Sequence, residues 1–154
     1  MKNVLSIFIN LLIAHSAGFF GTCFTIPSIK SWYIYLNKPL FNPPSWIFGP
    51  VWSTLYTLIG ISFYFFHKNN QYKDIKIYIL YIFHIFLNAI WSFIFFKQHE
   101  ILIALFDIFM MIITLLILMK YFYKLQKISF YLLIPYLMWL CFAFILNFNI
   151  WLLN

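Results

Sequence analysis

The sequence predicts an all-α membrane protein, a bundle of five transmembrane helices, and three observations carry that prediction. Of 154 residues, 65% are hydrophobic and only 8% are charged, against about 25% charged in soluble domains. A soluble chain of this length could not bury so much apolar surface. The apolar residues gather into five stretches, each near the twenty or so residues that cross a hydrocarbon core of about 30 Å. Most of the lysines lie between those stretches, and the length leaves room for one domain, residues 1–154.

The first stretch, 4–24, has no charged side chain. A cleavable signal peptide is the rival reading, with Ala14-His15-Ser16 as the processing site, but the apolar run continues well past it. Ala14/Gly18 and Ala17/Gly21 are small-xxx-small pairs that permit close helix contact, within the monomer or across a dimer. His15 reads as a satisfied interior polar group, because no second metal ligand lies at helical spacing.

Residues 32–60 organise the rest of the chain, holding four of the six prolines and three of the six tryptophans. Pro39, Pro43 and Pro44 lack N–H donors and push the residue before each out of the α region. A structured loop over 27–45 is therefore expected, feeding a second span over 46–66 with Pro50 near its first turn. Trp32, Tyr33, Trp46, Phe48, Trp52 and Tyr56 put large rings on both sides of that junction, which suits a flat, apolar ligand.

A polar turn is expected over 67–74 and a third span over 75–96, where His84, Asn88, Trp91 and Phe95 share one face. Lys97 to Glu100 is a tight connection. The fourth span, 101–119, contains Asp107, and a basic stretch over 121–128 leads to the fifth, 130–153. Pro135, Trp139, Ala143, Leu146 and Ile150 form one stripe of that last helix. Five spans put the termini on opposite sides. Lys2, Lys68, Lys73, Lys76, Lys120, Lys124 and Lys127 fall on the N-terminal side, against Lys30, Lys38 and Lys97 on the other. That bias predicts a cytoplasmic N-terminus and an outside 27–45 loop.

The net charge of +7 forms no stripe and includes no arginine, so topology explains it and a nucleic-acid partner is not expected. Cys23 and Cys141 lie in apolar segments and read as buried thiols, not a disulfide. No hydrolytic motif, phosphate loop, paired carboxylates or metal cluster is visible, so no catalytic residue, metal or required cofactor is expected. His84 reads as an interior hydrogen-bonded group, with an axial haem ligand as the alternative. Asn88 has two open uses, tying helices together or bonding a ligand. Asp107 must face the bundle, in a structural or a pocket role. Trp32, Trp46 and Trp151 lie near span ends, as an interfacial belt does. Trp52, Trp91 and Trp139 lie inside spans, where core packing and a pocket both remain open.

The string PPSWIFGPVW at 43–52, with Trp32-Tyr33, Leu36, Lys38-Pro39, Leu55-Tyr56 and Gly60, resembles the signature of the TspO/MBR family of tryptophan-rich sensory proteins. This family includes the animal translocator or peripheral benzodiazepine receptor. Leu87-Asn88, Trp91-Ser92 and Phe95-Phe96 resemble its third helix, with His84 where a Gln is usual. Pro135-Tyr136, Trp139, Phe142-Ala143, Leu146-Asn147 and Trp151 resemble its last. Ser53 and Ile59 depart from the usual Thr and Met.

The resemblance implies a five-helix bundle, homodimeric in a lipid bilayer, with a pocket capped by the first loop. It implies a receptor or transporter for tetrapyrroles such as protoporphyrin IX and for benzodiazepine-type drugs. The ligand residues implied are Tyr33, Pro43, Phe48, Trp52, Asn88, Trp91, Trp139, Ala143 and Leu146, with the porphyrin carboxylates near Lys38. Slow light-dependent porphyrin breakdown through Trp52 and Trp139 is one alternative, and a ligand-responsive regulatory scaffold is another. The family's sterol motif needs a Tyr and a basic residue that 145–152 lacks, which argues against sterol, although Leu118, Tyr121 and Lys124 fit its loose pattern. The Lys, Asn, Ile and Phe bias suits an AT-rich genome and a bacterial cell membrane, or the mitochondrial outer membrane in a eukaryote.

Overall fold

The computed structural model describes residues 2–69 and 74–154. Its helices are α1 (Lys2–Ser31), α2 (Ser45–Asn69), α3 (Ile75–Ser92), α4 (Ile101–Leu125), α5 (Lys127–Leu132) and α6 (Ile134–Leu153). A 3-10 turn covers Tyr33–Tyr35, and a π turn, Phe93–Lys97, extends α3. Among the described residues there is no strand, and five helical segments are long and apolar enough to cross a membrane, α5 and α6 together making the fifth. The chain is an integral, multi-pass membrane protein. Round the bundle the spans run first, second, fifth, fourth, third, since α1 packs on α2 and α3, and α4 on α3 and α6.

Several boundaries differ from the sequence expectation, each for a physical reason. The first helix does not stop at 24, and the loop does not begin at 27. Pro27 removes one intrahelical donor, but the turn beyond it is held from outside. Ser28 Oγ donates to the Phe96 carbonyl at 2.7 Å, and Ile29 packs on the cluster of Tyr33, Phe95 and Phe96. The irregular loop is therefore 36–44, where Pro39, Pro43 and Pro44 forbid helix as expected. Pro50 is not at the start of its helix but its sixth residue, inside α2.

The second span also runs on through His67, whose Nδ1 lies 2.9 Å from the Tyr78 hydroxyl. The rest of the expected polar turn, residues 70–73 with Lys73, lies outside the described residues. Asp74 caps α3 by accepting from the Lys76 amide at 3.0 Å. The basic stretch after the fourth span is helical as far as Leu125, so its connection is Gln126 alone. In the fifth span the break falls at Leu133, because Pro135 cannot donate to the preceding turn. Cys23 and Cys141 are unpaired and, contrary to expectation, exposed on the outside of the bundle. An apolar thiol is as compatible with lipid as with a protein core.

The small residues of α1 act within the monomer. Ala14 and Ala17 are buried. A Cβ at Gly18 would lie 2.7 Å from the Tyr56 ring, and one at Gly21 would lie 2.7 Å from Ser92 Oγ. At Gly60, α2 meets α1 backbone to backbone, since a Cβ there would come within 3.0 Å of the Asn10 carbonyl and Leu11 Cα. At Gly49 the same test finds nothing within 4 Å. The two helices therefore meet at Gly60, while Gly49 is exposed with open space beside it.

The core falls into two clusters. The larger is built on stacked rings, Phe63 on Tyr81 at 3.7 Å and Phe66 on Phe122 at 4.6 Å between centroids. The smaller gathers Tyr33, Phe95, Phe96, Ala104, Leu146 and Ile150 at the loop end.

Candidate functional site

Between the two clusters lies a cavity of about 460 Å³, within the usual range of small-molecule sites. The helical periodicity that gave α3 and α6 one apolar stripe each also turns those stripes inward here. From α3 come Asn88 and Trp91, and from α6 Trp139, Ala143 and Leu146. The α2 helix adds Phe48 and Trp52, and the 3-10 turn adds Tyr33. Eight of the nine residues singled out in the sequence are thus brought together.

Pro43 is the exception. Among the described residues none of 36–44 lines the cavity, because the loop folds on itself. Tyr33 OH donates to Asn42 Oδ1 at 2.9 Å, and Asn42 Nδ2 donates to the Pro43 carbonyl at 3.0 Å. Burial holds the Tyr33 hydroxyl above the ordinary phenol range, and its bond to Asn42 pulls the other way. Lys38 is not aimed at the cavity either. Its ammonium donates to the Leu36 and Ile34 carbonyls at 3.0 and 3.3 Å and sits 4.7 Å from the centre of the Tyr33 ring.

The aromatic walls are ordered. Trp52 stacks on Tyr56, centroids 5.5 Å apart, and Trp91 stacks on Phe95 at 5.0 Å. Trp139 meets the edge of Phe48 at 6.2 Å and Phe142 at 5.3 Å. Trp32 is elsewhere, stacked on His99 at 4.1 Å. Trp151 faces outward, as a membrane-interface belt does, and Trp46, also largely exposed, lines the rim of the cavity.

Beneath the cavity a closed polar network joins three spans. Thr114 Oγ1 donates to the Met110 and Met111 carbonyls at 2.9 and 3.0 Å. Its lone pairs are left to accept from His84 Nδ1 at 2.8 Å, which assigns the Nδ1–H tautomer. His84 Nε2 is then an acceptor; the one Tyr136 hydroxyl hydrogen goes to Asn88 Oδ1, so the donor to Nε2 is Asn88 Nδ2 at 3.3 Å, with the Tyr136 oxygen 2.9 Å away. Tyr136 OH also reaches Asn88 Oδ1 at 2.9 Å, and Asn88 Nδ2 donates to the His84 carbonyl at 2.9 Å. Both ring nitrogens of His84 are engaged, and it does not line the cavity, so the ring serves as a strut and is not presented as an axial ligand. Asn88 lines the cavity with every polar atom committed.

Asp107 is buried, with Oδ2 unpartnered among the described residues, and it is not part of the cavity wall. His15 lines the wall and lies 3.1 Å from Thr57 Oγ1. Among the described residues no group of three or more His, Cys, Asp and Glu could hold a metal ion.

Sequence reasoning missed the α1 side of the wall, Gly18, Gly21, Thr22 and Thr25, and also Asn147. Asn147 stands four residues after Ala143 and so was legible by period. No periodic signal distinguishes Thr22 or Thr25, because α1 is apolar on nearly every side.

A family model described as the TspO/MBR family matches residues 9–152. The chain is 40% identical to the Tryptophan-rich protein TspO of Archaeoglobus fulgidus, over 99% of each chain. It is 34% identical to the Translocator protein of Homo sapiens, over 90% of this chain and 85% of that one. It is 30% identical to Protein CrtK of Rhodobacter capsulatus, over 90% of this chain and 86% of that one.

Proposed function

The chain belongs to the TspO/MBR family, and on that premise we propose that it is a membrane receptor or transporter-type protein that takes flat tetrapyrroles such as protoporphyrin IX. The observation that supports this reading best is the convergence of Trp52, Trp91 and Trp139 on one largely apolar cavity between two packed clusters. Rings in that number offer a macrocycle stacking faces, and among the described residues no lysine lines the seat, which keeps it apolar. Benzodiazepine-type drugs suit the same walls. The protein works as a homodimer in a bacterial cell membrane, with its N-terminus in the cytoplasm and the loop outside. The lack of the family's Tyr and following basic residue in 145–152 speaks against sterol as its cargo.

Titration of the purified protein with protoporphyrin IX tests this. Saturable quenching of tryptophan fluorescence with a shifted Soret band is expected. No saturation would remove the reading.

A second reading rests on Trp52 and Trp139, two oxidisable indoles in the same wall. Under light they would reduce the excited porphyrin and start its breakdown. Conversion to one defined product, lost in Trp139→Phe, supports it. Bleaching at the rate of free porphyrin in detergent rejects it. A ligand-responsive scaffold has no residue of its own to speak for it.

Asn88 shapes the wall more than it bonds the ligand, because its amide is already paired inside the protein. Asn88→Ala is expected to lower stability by about 1–3 kcal/mol. Porphyrin affinity measured in the cold should stay within about threefold of wild type. Thermal melts and titrations on one preparation check both. A several-fold affinity loss at an unchanged melting temperature would show that the amide leaves the network for the ligand.

A further inference from the structure

Among the described residues, Lys68, Lys76, Lys120, Lys124 and Lys127 gather at the end of the bundle opposite the loop, and they are densest at one corner. Lys120 and Lys124 fall in the last turns of α4, Gln126 makes the turn, and Lys127 opens α5. All three corner lysines are exposed. Lys120, Tyr123 and Lys124 share a face of α4 by period. Lys127 is brought onto that face across the turn, with Nζ 5.9 Å from the centre of the Tyr123 ring. No carboxylate answers these cations. Glu100 lies at the far end of α4, Asp107 is buried in the bundle, and Asp74 is committed to the Lys76 amide at the start of α3.

The corner is held in place from behind. Phe122 is buried and stacks on Phe66 at 4.6 Å. Ser129 Oγ donates to the Ser62 carbonyl at 2.7 Å, and Ser62 Oγ donates to the Ser129 carbonyl at 2.8 Å. Tyr123 meets the edge of Phe130 at 5.1 Å.

The same face of α4 is apolar further into the membrane. Phe106, Met110 and Ile117 are exposed and Ile113 is half-buried. They stand four, three and four apart, and Lys120 and Lys124 continue the stripe at three and four. From Phe106 to Ile117 the stripe runs about 17 Å, close to half of a hydrocarbon core about 30 Å thick. Ile101 to Lys120 covers about 29 Å, so Lys120 stands where the core ends.

We propose that this face binds one anionic phospholipid, its phosphate between Lys120, Lys124 and Lys127 and an acyl chain along the α4 stripe. An ammonium is a compact point charge that suits phosphate oxygens. Tyr123 offers its ring to the chain and its hydroxyl to the headgroup, as interfacial tyrosines do. A second copy of the chain fits the face less well, because a two-fold axis along the membrane normal would set these cations against their own like. The site is on the outside of the bundle and does not depend on what the cavity takes.

The test uses the purified full chain in neutral detergent, with phosphatidylglycerol and phosphatidylcholine of the same acyl chains as competing probes. Native mass spectrometry reads which lipid is retained. The wild type should keep one phosphatidylglycerol in preference to phosphatidylcholine by about tenfold or more. Lys120→Gln, Lys124→Gln and Lys127→Gln together should bring the two lipids to within about twofold of each other. The three matching arginine substitutions keep the charge and should keep the preference. Lys68→Gln with Lys76→Gln removes charge at the same end but not at this corner, and should keep it too. Melting temperatures show that each variant is folded.

Equal retention of the two lipids by the wild type would overturn the site. So would a preference that survives in the triple glutamine variant. One lost as fully in the Lys68 and Lys76 variant would reduce the effect to net charge and overturn it as well. Inorganic phosphate that displaces the lipid at equal concentration would show a seat for phosphate alone, against a lipid site. Protection of these three lysines from acetylation in a lipid-free dimer would give the face to a second copy instead.

Discussion

Tyr136→Ala is expected to lower stability by about 3–5 kcal/mol, the range for deleting a large buried ring. Tyr136 is fully buried at 0% exposure and is among the largest side chains in the core. Its ring meets Trp52 edge-on at 6.4 Å and His84 at 5.6 Å, so its loss opens a void directly under the cavity. Its hydroxyl is also the donor to Asn88 Oδ1, which is then left unpaired in a dry interior.

The phenylalanine variant separates the two contributions. It keeps the volume and removes only the hydroxyl, at an expected cost of about 1–3 kcal/mol. Thermal unfolding of both variants in one detergent gives the comparison. A Tyr136→Ala protein that melts like wild type would mean that the network does not hold the three spans together.

The second large effect is on affinity. Replacing both Trp52 and Trp139 with alanine is expected to weaken protoporphyrin IX binding roughly 30- to 20,000-fold, from about 1–3 kcal/mol for each flat-ring contact. Each single change should give a smaller loss, and the two need not add, because they clasp one ligand. The double phenylalanine variant keeps a smaller ring at each place and should fall between. The Soret shift is the proper readout, since it does not depend on the indoles removed. The melting temperature of each variant shows whether the cavity survives. Unchanged affinity in a folded double-alanine protein would mean that the macrocycle does not lie between these two rings.

Much of the wall could be read before any fold was known, and the residues that could not be read share a cause. His84, Asn88, Trp91 and Phe95 were placed on one face by period alone, and the structure uses that face for the network and the wall together. Which of them pair and which are offered to a ligand was not legible. It depends on Thr114 and Tyr136, residues 30 and 52 positions from His84. Pro43 and Lys38 were expected at the site through the family resemblance. The loop turns back on Asn42, Leu36 and Ile34 instead, and such local bonds leave no pattern to read.

The five spans, the membrane, the proline-bound loop and the inward stripes of α3 and α6 were determined by the sequence by itself, because hydrocarbon thickness and helical period act on neighbouring residues. Tertiary structure alone decided how far α1 runs past Pro27, that His84 is a strut, and that α1 and α2 meet backbone to backbone at Gly60. Each of these turns on a contact between distant residues: Ser28 with Phe96, His84 with Tyr136, and Gly60 with the backbone of Asn10 and Leu11. The free energy of such a contact exists only once the helices have packed, so no local property of the chain announces it.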